Sequence, residues 1–156
     1  MVTVERQADI MEGFLLGLLD AFGAAGQVQR ARIDDDTIEL AVMGDDLGLL
    51  IGPKGLTLQA VQDLARTVVQ RREPGTHEGR VRIDVSGYRQ KRRVALERFV
   101  TGIAEDVVRT GTAKALEPMG AADRKVAHDT VTDIDGVMTS SEGQEPRRWV
   151  VISPNP

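Results

Sequence analysis

The 156-residue chain is 41% apolar and 28% charged, the balance of a folded globular protein with room for one ordinary domain or two very small ones. It contains no cysteine, which excludes disulfides, thiolate metal sites and cysteine nucleophiles together. The formal net charge of -4 hides an uneven distribution: residues 1–46 hold ten acids and three Lys/Arg, residues 47–93 four and ten, and residues 94–156 ten and seven.

The longest apolar stretch, Phe14 to Leu19, is interrupted by Gly17 and falls short of the ~20 residues a bilayer needs; no basic n-region precedes it. Membrane insertion is therefore not expected, and the cytoplasm is. Ile10, Met11, Phe14, Leu15, Leu18, Leu19 and Phe22 recur at three- and four-residue spacing, which predicts an amphipathic helix over 8–22, ended by Gly23 and Gly26. A strand pair over 28–33 and 37–42 follows, around the polar tip Asp34-Asp35-Asp36. Asp45 or Asp46 is placed to cap a short helix over 47–50. After Gly55 a longer helix is expected to bury Leu58, Val61, Leu64, Ala65 and Val68 and to turn Gln59, Gln62, Asp63 and Arg66 away. Residues 80–85 alternate as a third strand.

A second unit is expected from residue 88. Its first helix, over 88–109, has Leu96, Phe99, Val100, Ile103 and Val107 on the core side. Pro118 stands where a further helix, over about 119–131, would begin. Strands over 137–140 and 147–152 flank the polar turn of residues 141–146.

The loop Gly52-Pro53-Lys54-Gly55 lies in the basic block, between the short helix and the longer one. Glycines let a phosphodiester backbone approach the main chain, the following helix turns its free N–H groups toward an anion, and Lys54 adds a cation. Pro53 has no N–H to donate and supplies rigidity. The G-x-x-x-x-G-K-[ST] spacing of a nucleotide-triphosphate loop is missing. With two strands before the loop and one after, the order α-β-β-α-α-β resembles a type II KH domain, a three-stranded sheet with helices on one face. That resemblance implies a clamp for about four nucleotides of single strand, with bases on an apolar groove. Ile51 and Leu58 are candidates either for that groove or for the core.

In the second unit Arg124 and His128 are four apart and share a helix face opposite Val126, which places both toward solvent. The stretch from Pro118 through Arg124-x-x-x-His128 to Ser141-Glu142-Gly143-Gln144-Glu145-Pro146-Arg147-Arg148-Trp149 resembles the small α+β domain named for its Arg-x-x-x-His motif, a short sheet with two helices that binds single-stranded nucleic acid. A KH domain over 1–87 followed by that domain over 88–156 resembles the bacterial Jag/KhpB family, whose longer members carry a further N-terminal domain.

The resemblance implies that Gly52, Pro53, Lys54 and Gly55, together with Arg124, His128, Arg147 and Arg148, meet single-stranded RNA, or the related single-stranded DNA. Trp149 is read either as a base-stacking ring or as core. The implied role is an RNA chaperone or post-transcriptional regulator linked to cell elongation, division and envelope homeostasis. An adaptor acting through a small KH-domain partner is the alternative. The two histidines, His77 and His128, have no nucleophile or metal cluster near them in sequence; no catalytic residue, metal site or cofactor is assigned.

Overall fold

In the computed structural model, which describes residues 1–155, the chain is mixed α+β, and the described residues form four α-helices and two three-stranded sheets. Contacts divide it into two compact units, Met1–Arg89 and residues from Gln90 onward.

The first unit opens with α1 (Val4–Ala21), which starts four residues earlier than the apolar spacing indicated. Thr3 caps it, its hydroxyl accepting from the Arg6 N–H at 3.2 Å. Val4, Gln7 and Ala8 extend the buried stripe backward from Ile10, Met11, Leu15 and Leu19. Strands β1 (Gly26–Asp34) and β2 (Thr37–Gly44) form an antiparallel hairpin, and β3 (Arg80–Val85) pairs with β2 in parallel. At the tip, the Asp34 carboxylate accepts from the Asp36 N–H at 2.9 Å, so the acidic triplet is a side-chain-stabilised turn. The poor alternation of β1 has a physical reason: it is an edge strand whose residues are mostly exposed, and a bulge shifts its register between Arg32 and Asp34. Arg30 reaches Asp9 and Glu12 of α1, and Arg32 reaches Glu5, which ties the edge strand to the helix.

The predicted short helix is a single 3-10 turn over Leu47–Leu50, not an α-helix; Leu47 and Leu50 are buried. Helix α2 (Leu56–Arg72) packs on the same sheet face as α1, over Ile38, Leu40, Val42, Val81, Ile83 and Val85. Two expectations for α2 are corrected. At ~100° per residue, Gln62 falls between Leu58 and Val69 in the middle of the buried face, whereas Leu64 lies at its margin. Accordingly Gln62 is buried and Leu64 is 56% exposed.

The second unit contains α3 (Tyr88–Thr110), the two-residue strand β4 (Lys114–Ala115), α4 (Ala121–Thr132), β5 (Val137–Gln144) and β6 (Arg147–Pro154). Its sheet has the order β4-β6-β5, all antiparallel; β4 is too short to show a period in the sequence. The core gathers Leu96, Val100, Ala104 and Val107 of α3 with Ala127 and Val131 of α4 and with Val150 and Ile152 of β6. Phe99 is 55% exposed, again because it stands at the edge of the stripe it was assigned to.

Among the described residues no helix is long and apolar enough to cross a membrane, and no three His, Asp or Glu side chains come together as a metal site would require.

Candidate nucleic-acid interface

The loop between the 3-10 turn and α2 is made by three left-handed residues: Gly52 at φ +70°, Lys54 at φ +53° and Gly55 at φ +74°. That backbone is available to glycine at little cost and to lysine only when its surroundings impose it. Two neighbours impose it. The Thr57 side chain lies against Gly52, where a β-carbon would stand 2.8 Å from Thr57 Cβ, and the Tyr88 ring lies against Gly55. The Gly55 N–H donates to the Gly52 carbonyl at 3.2 Å, and the Leu58 N–H reaches back to Ile51 O at 3.0 Å, so the loop is closed on itself. Pro53 and Lys54 project to solvent, and Gly55 is the N-cap of α2 without a side-chain cap.

The apolar neighbours divide in a way the sequence left open. Leu58 is 2% exposed and belongs to the core, so it lines no groove; Ile51 is half-buried against the same core. The exposed apolar side chains beside the loop are Leu49 and Leu56, at 69% and 67%.

The Arg124/His128 pair departs from expectation. Both side chains turn toward the β5–β6 hairpin instead of solvent. Arg124 is buried, donating to Met119 O at 2.7 Å and to a Glu145 carboxylate oxygen at 2.5 Å. The half-buried His128 ring has Nδ1 at 2.7 Å from Thr139 Oγ1 and Nε2 at 2.8 Å from Ser141 Oγ. The reason is helical phase: Ala127 and Val131 fix which side of α4 meets the sheet, and Arg124 is one turn before them on that side. A guanidinium fork there satisfies the carbonyl that precedes α4 and the acid in the hairpin turn together.

A model of the R-3-H domain, the domain named for its Arg-x-x-x-His motif, matches residues 94–154. The second unit belongs to that domain family. The chain as a whole is similar to proteins named RNA-binding protein KhpB. It is 34% identical to that of Clostridium symbiosum over 141 residues, covering 90% of this chain and 63% of the relative. It is 34% identical to that of Bacillus subtilis over 119 residues (75% and 56%) and 38% identical to that of Lactiplantibacillus plantarum over 106 residues (68% and 32%). The chain thus spans less than two thirds of the length of these curated relatives.

Within the Arg-x-x-x-His domain, Arg147 is exposed, whereas Arg148 is half-buried with an Nε that has no hydrogen-bond partner. Trp149 is half-buried but stands outside the core cluster: Val150 and Ile152 point inward, and Trp149 and Val151 take the opposite face of the sheet.

The basic block is partly neutralised. Arg82 pairs with Glu39, and in the second unit Arg92 pairs with Asp123 and Arg93 with Glu97. Arg89 is drawn into the first unit, its N–H donating to Asp84 and its Nε to Ile83 O; burial, resisted by Asp84, lowers its pKa. Sequence reading missed Thr57, Tyr88 and Gln62 as residues that shape the loop and its helix. Only Gln62 carried a usable signal, its place on the Leu58–Val69 stripe.

Proposed function

We propose that this chain binds single-stranded RNA and that its first unit is a type II KH domain. The observation that carries the proposal is the loop itself, three left-handed residues held open by Thr57 and Tyr88 at the start of α2, which bares main chain beside an exposed Lys54. The order α1-β1-β2-turn-loop-α2-β3, with a parallel β2–β3 pair, supports the KH reading, as do relatives named RNA-binding protein KhpB. The Arg-x-x-x-His domain is the second candidate contact, through Arg147 and Arg148 and, less directly, Arg124 and His128. The cellular role is that of an RNA chaperone or post-transcriptional regulator in the cytoplasm, in the setting of cell elongation, division and envelope homeostasis; no catalysis is assigned to it.

The test is a fluorescence-anisotropy titration of short single-stranded RNA, with the DNA of the same sequence alongside, at several salt concentrations. Each phosphate contact on a single strand contributes about 0.7 to the log–log salt slope. Lys54→Glu is expected to weaken binding and reduce that slope by about this amount. Unchanged affinity and slope in the variant would overturn the loop as the contact.

A second reading, an adaptor that docks a small KH-domain protein, is favoured by the exposed Ile33 and Met43 on the β1–β2 ladder, at 50% and 42%. Capture of such a partner that survives RNase and high salt would support it over RNA binding.

A further inference from the structure

The β5–β6 hairpin has two faces. The inner one is occupied by the core, Arg124 and His128. Directly paired residues share a face, so Glu142↔Trp149, Gln144↔Arg147 and Ser140↔Val151 together make the outer one. Trp149 is seated there on Gly143, where a β-carbon would stand 2.6 Å from Trp149 Cζ3; the glycine makes room for the ring and fixes it. Arg147 and Glu142 are both exposed, and among the described residues neither has an ion pair or side-chain hydrogen bond. An immobilised indole, an unpaired guanidinium two residues away and an unpaired carboxylate directly across therefore stand together on a face with no protein partner.

We infer that this face is a nucleobase site, with Trp149 stacking on one base, Glu142 reading that base and Arg147 meeting the adjoining phosphate. The inference rests on the RNA-binding reading and adds a base preference to it. Base–indole stacking is indifferent to sequence, because every base has a π-face. The carboxylate is not indifferent. It only accepts hydrogen bonds, and it accepts two in parallel when two donors are adjacent. On its Watson–Crick edge guanine offers N1–H beside the N2 amino group. Adenine and cytosine place a ring-nitrogen acceptor beside their amino group, and uracil flanks its single N3–H with two carbonyl oxygens. The pair Trp149/Glu142 therefore selects guanine in a single strand, where that edge is free. This arrangement also accounts for an acid on a surface that meets a polyanion: Arg147 offsets its charge toward the phosphate side.

Trp149 is the sole tryptophan, so the emission of the full chain reports this site directly. Titration with guanosine 5′-monophosphate is expected to quench it at lower concentration than uridine 5′-monophosphate does, and a guanine-containing RNA is expected to quench more than oligouridine. Glu142→Gln keeps one acceptor but loses the second, and should abolish the difference between guanine and uracil. By anisotropy, Trp149→Ala should weaken a guanine-containing RNA by roughly 5- to 150-fold, the range for one base–aromatic stack, with Trp149→Phe in between. Circular dichroism of Glu142→Gln, an exposed substitution, serves as the folding control. RNA binding with unchanged tryptophan emission, or equal guanine preference in Glu142→Gln, would overturn the site while leaving the loop reading intact. Failure of the whole chain to bind any RNA would overturn both.

Discussion

The Tyr88 ring closes on Gly55: a β-carbon added there would lie 2.6 Å from Tyr88 Cε1, on a backbone already at φ +74°. The second glycine of the loop is thus required twice, once for its conformation and once for the ring above it. Gly55→Ala is expected to destabilise the first unit by the ~1–2 kcal/mol of left-handed backbone, plus a steric contribution. In a Tyr88→Ala background the steric contribution should vanish. Urea denaturation of the four proteins of this double-mutant cycle measures it, and strict additivity would rule out the contact as the source.

Gln62 acts as a short piece of strand. Its Oε1 accepts from the Ile83 N–H at 2.7 Å and its Nε2 donates to Val81 O at 3.0 Å, which satisfies β3 where no further strand pairs with it. Gln62→Leu would leave both backbone groups buried and unpaired, at about 1–3 kcal/mol for each. Gln62→Glu would set a carboxylate oxygen against a carbonyl and should cost at least as much. Faster amide exchange at Ile83 in either variant is the direct check.

What the sequence disclosed follows from which forces are periodic. Ile38, Leu40 and Val42, and likewise Val81, Ile83 and Val85, alternate because one sheet face is buried, and these strands were legible nearly to the residue. The margins of helical stripes were not: Leu64 and Phe99 are apolar and exposed, and Gln62 is polar and buried because a backbone edge needed it. The loop was legible as a motif, but the contacts that shape it come from Tyr88, which is 33 positions from Gly55 in the chain. The Arg124/His128 pair was found for its spacing and misplaced for its direction. Spacing shows that two side chains share a face, not what that face meets.

That direction predicts a structural role for Arg124. Arg124→Ala removes a buried fork from Met119 O and Glu145 and is expected to destabilise the Arg-x-x-x-His domain by about 1–3 kcal/mol. A lysine is a point charge on a flexible stem and does not reproduce the fork, so Arg124→Lys should be nearly as unstable. Chemical denaturation followed by Trp149 emission measures both. Full stability in the lysine variant would show that charge alone suffices.

His128→Ala should act similarly on the hairpin, since both ring nitrogens are engaged by Thr139 and Ser141 of β5. A loss of about 1–3 kcal/mol is expected. Part of it should be recovered in His128→Gln, whose amide can still meet one hydroxyl. Limited proteolysis at the hairpin, compared across the three proteins, orders their stabilities without reference to RNA.

Asp106 links α3 to β4 and gives the second unit an acid limit. Its carboxylate accepts from Lys114 and from Arg109, and these hydrogen bonds, Lys114 first, hold its pKa below the ordinary carboxylate value. A carboxyl whose folded pKa is lowered binds its proton more readily in the unfolded chain. Its contribution is therefore complete above the unfolded pKa of ~3.9 and is lost as pH falls through the lower folded value. Asp106→Asn should accordingly melt at a lower temperature than the parent at neutral pH, with the difference shrinking below about pH 4 and closing in stronger acid. Thermal scans of both proteins from neutral pH to pH ~2 test it, and a difference that persists unchanged into acid would remove the carboxylate as its cause.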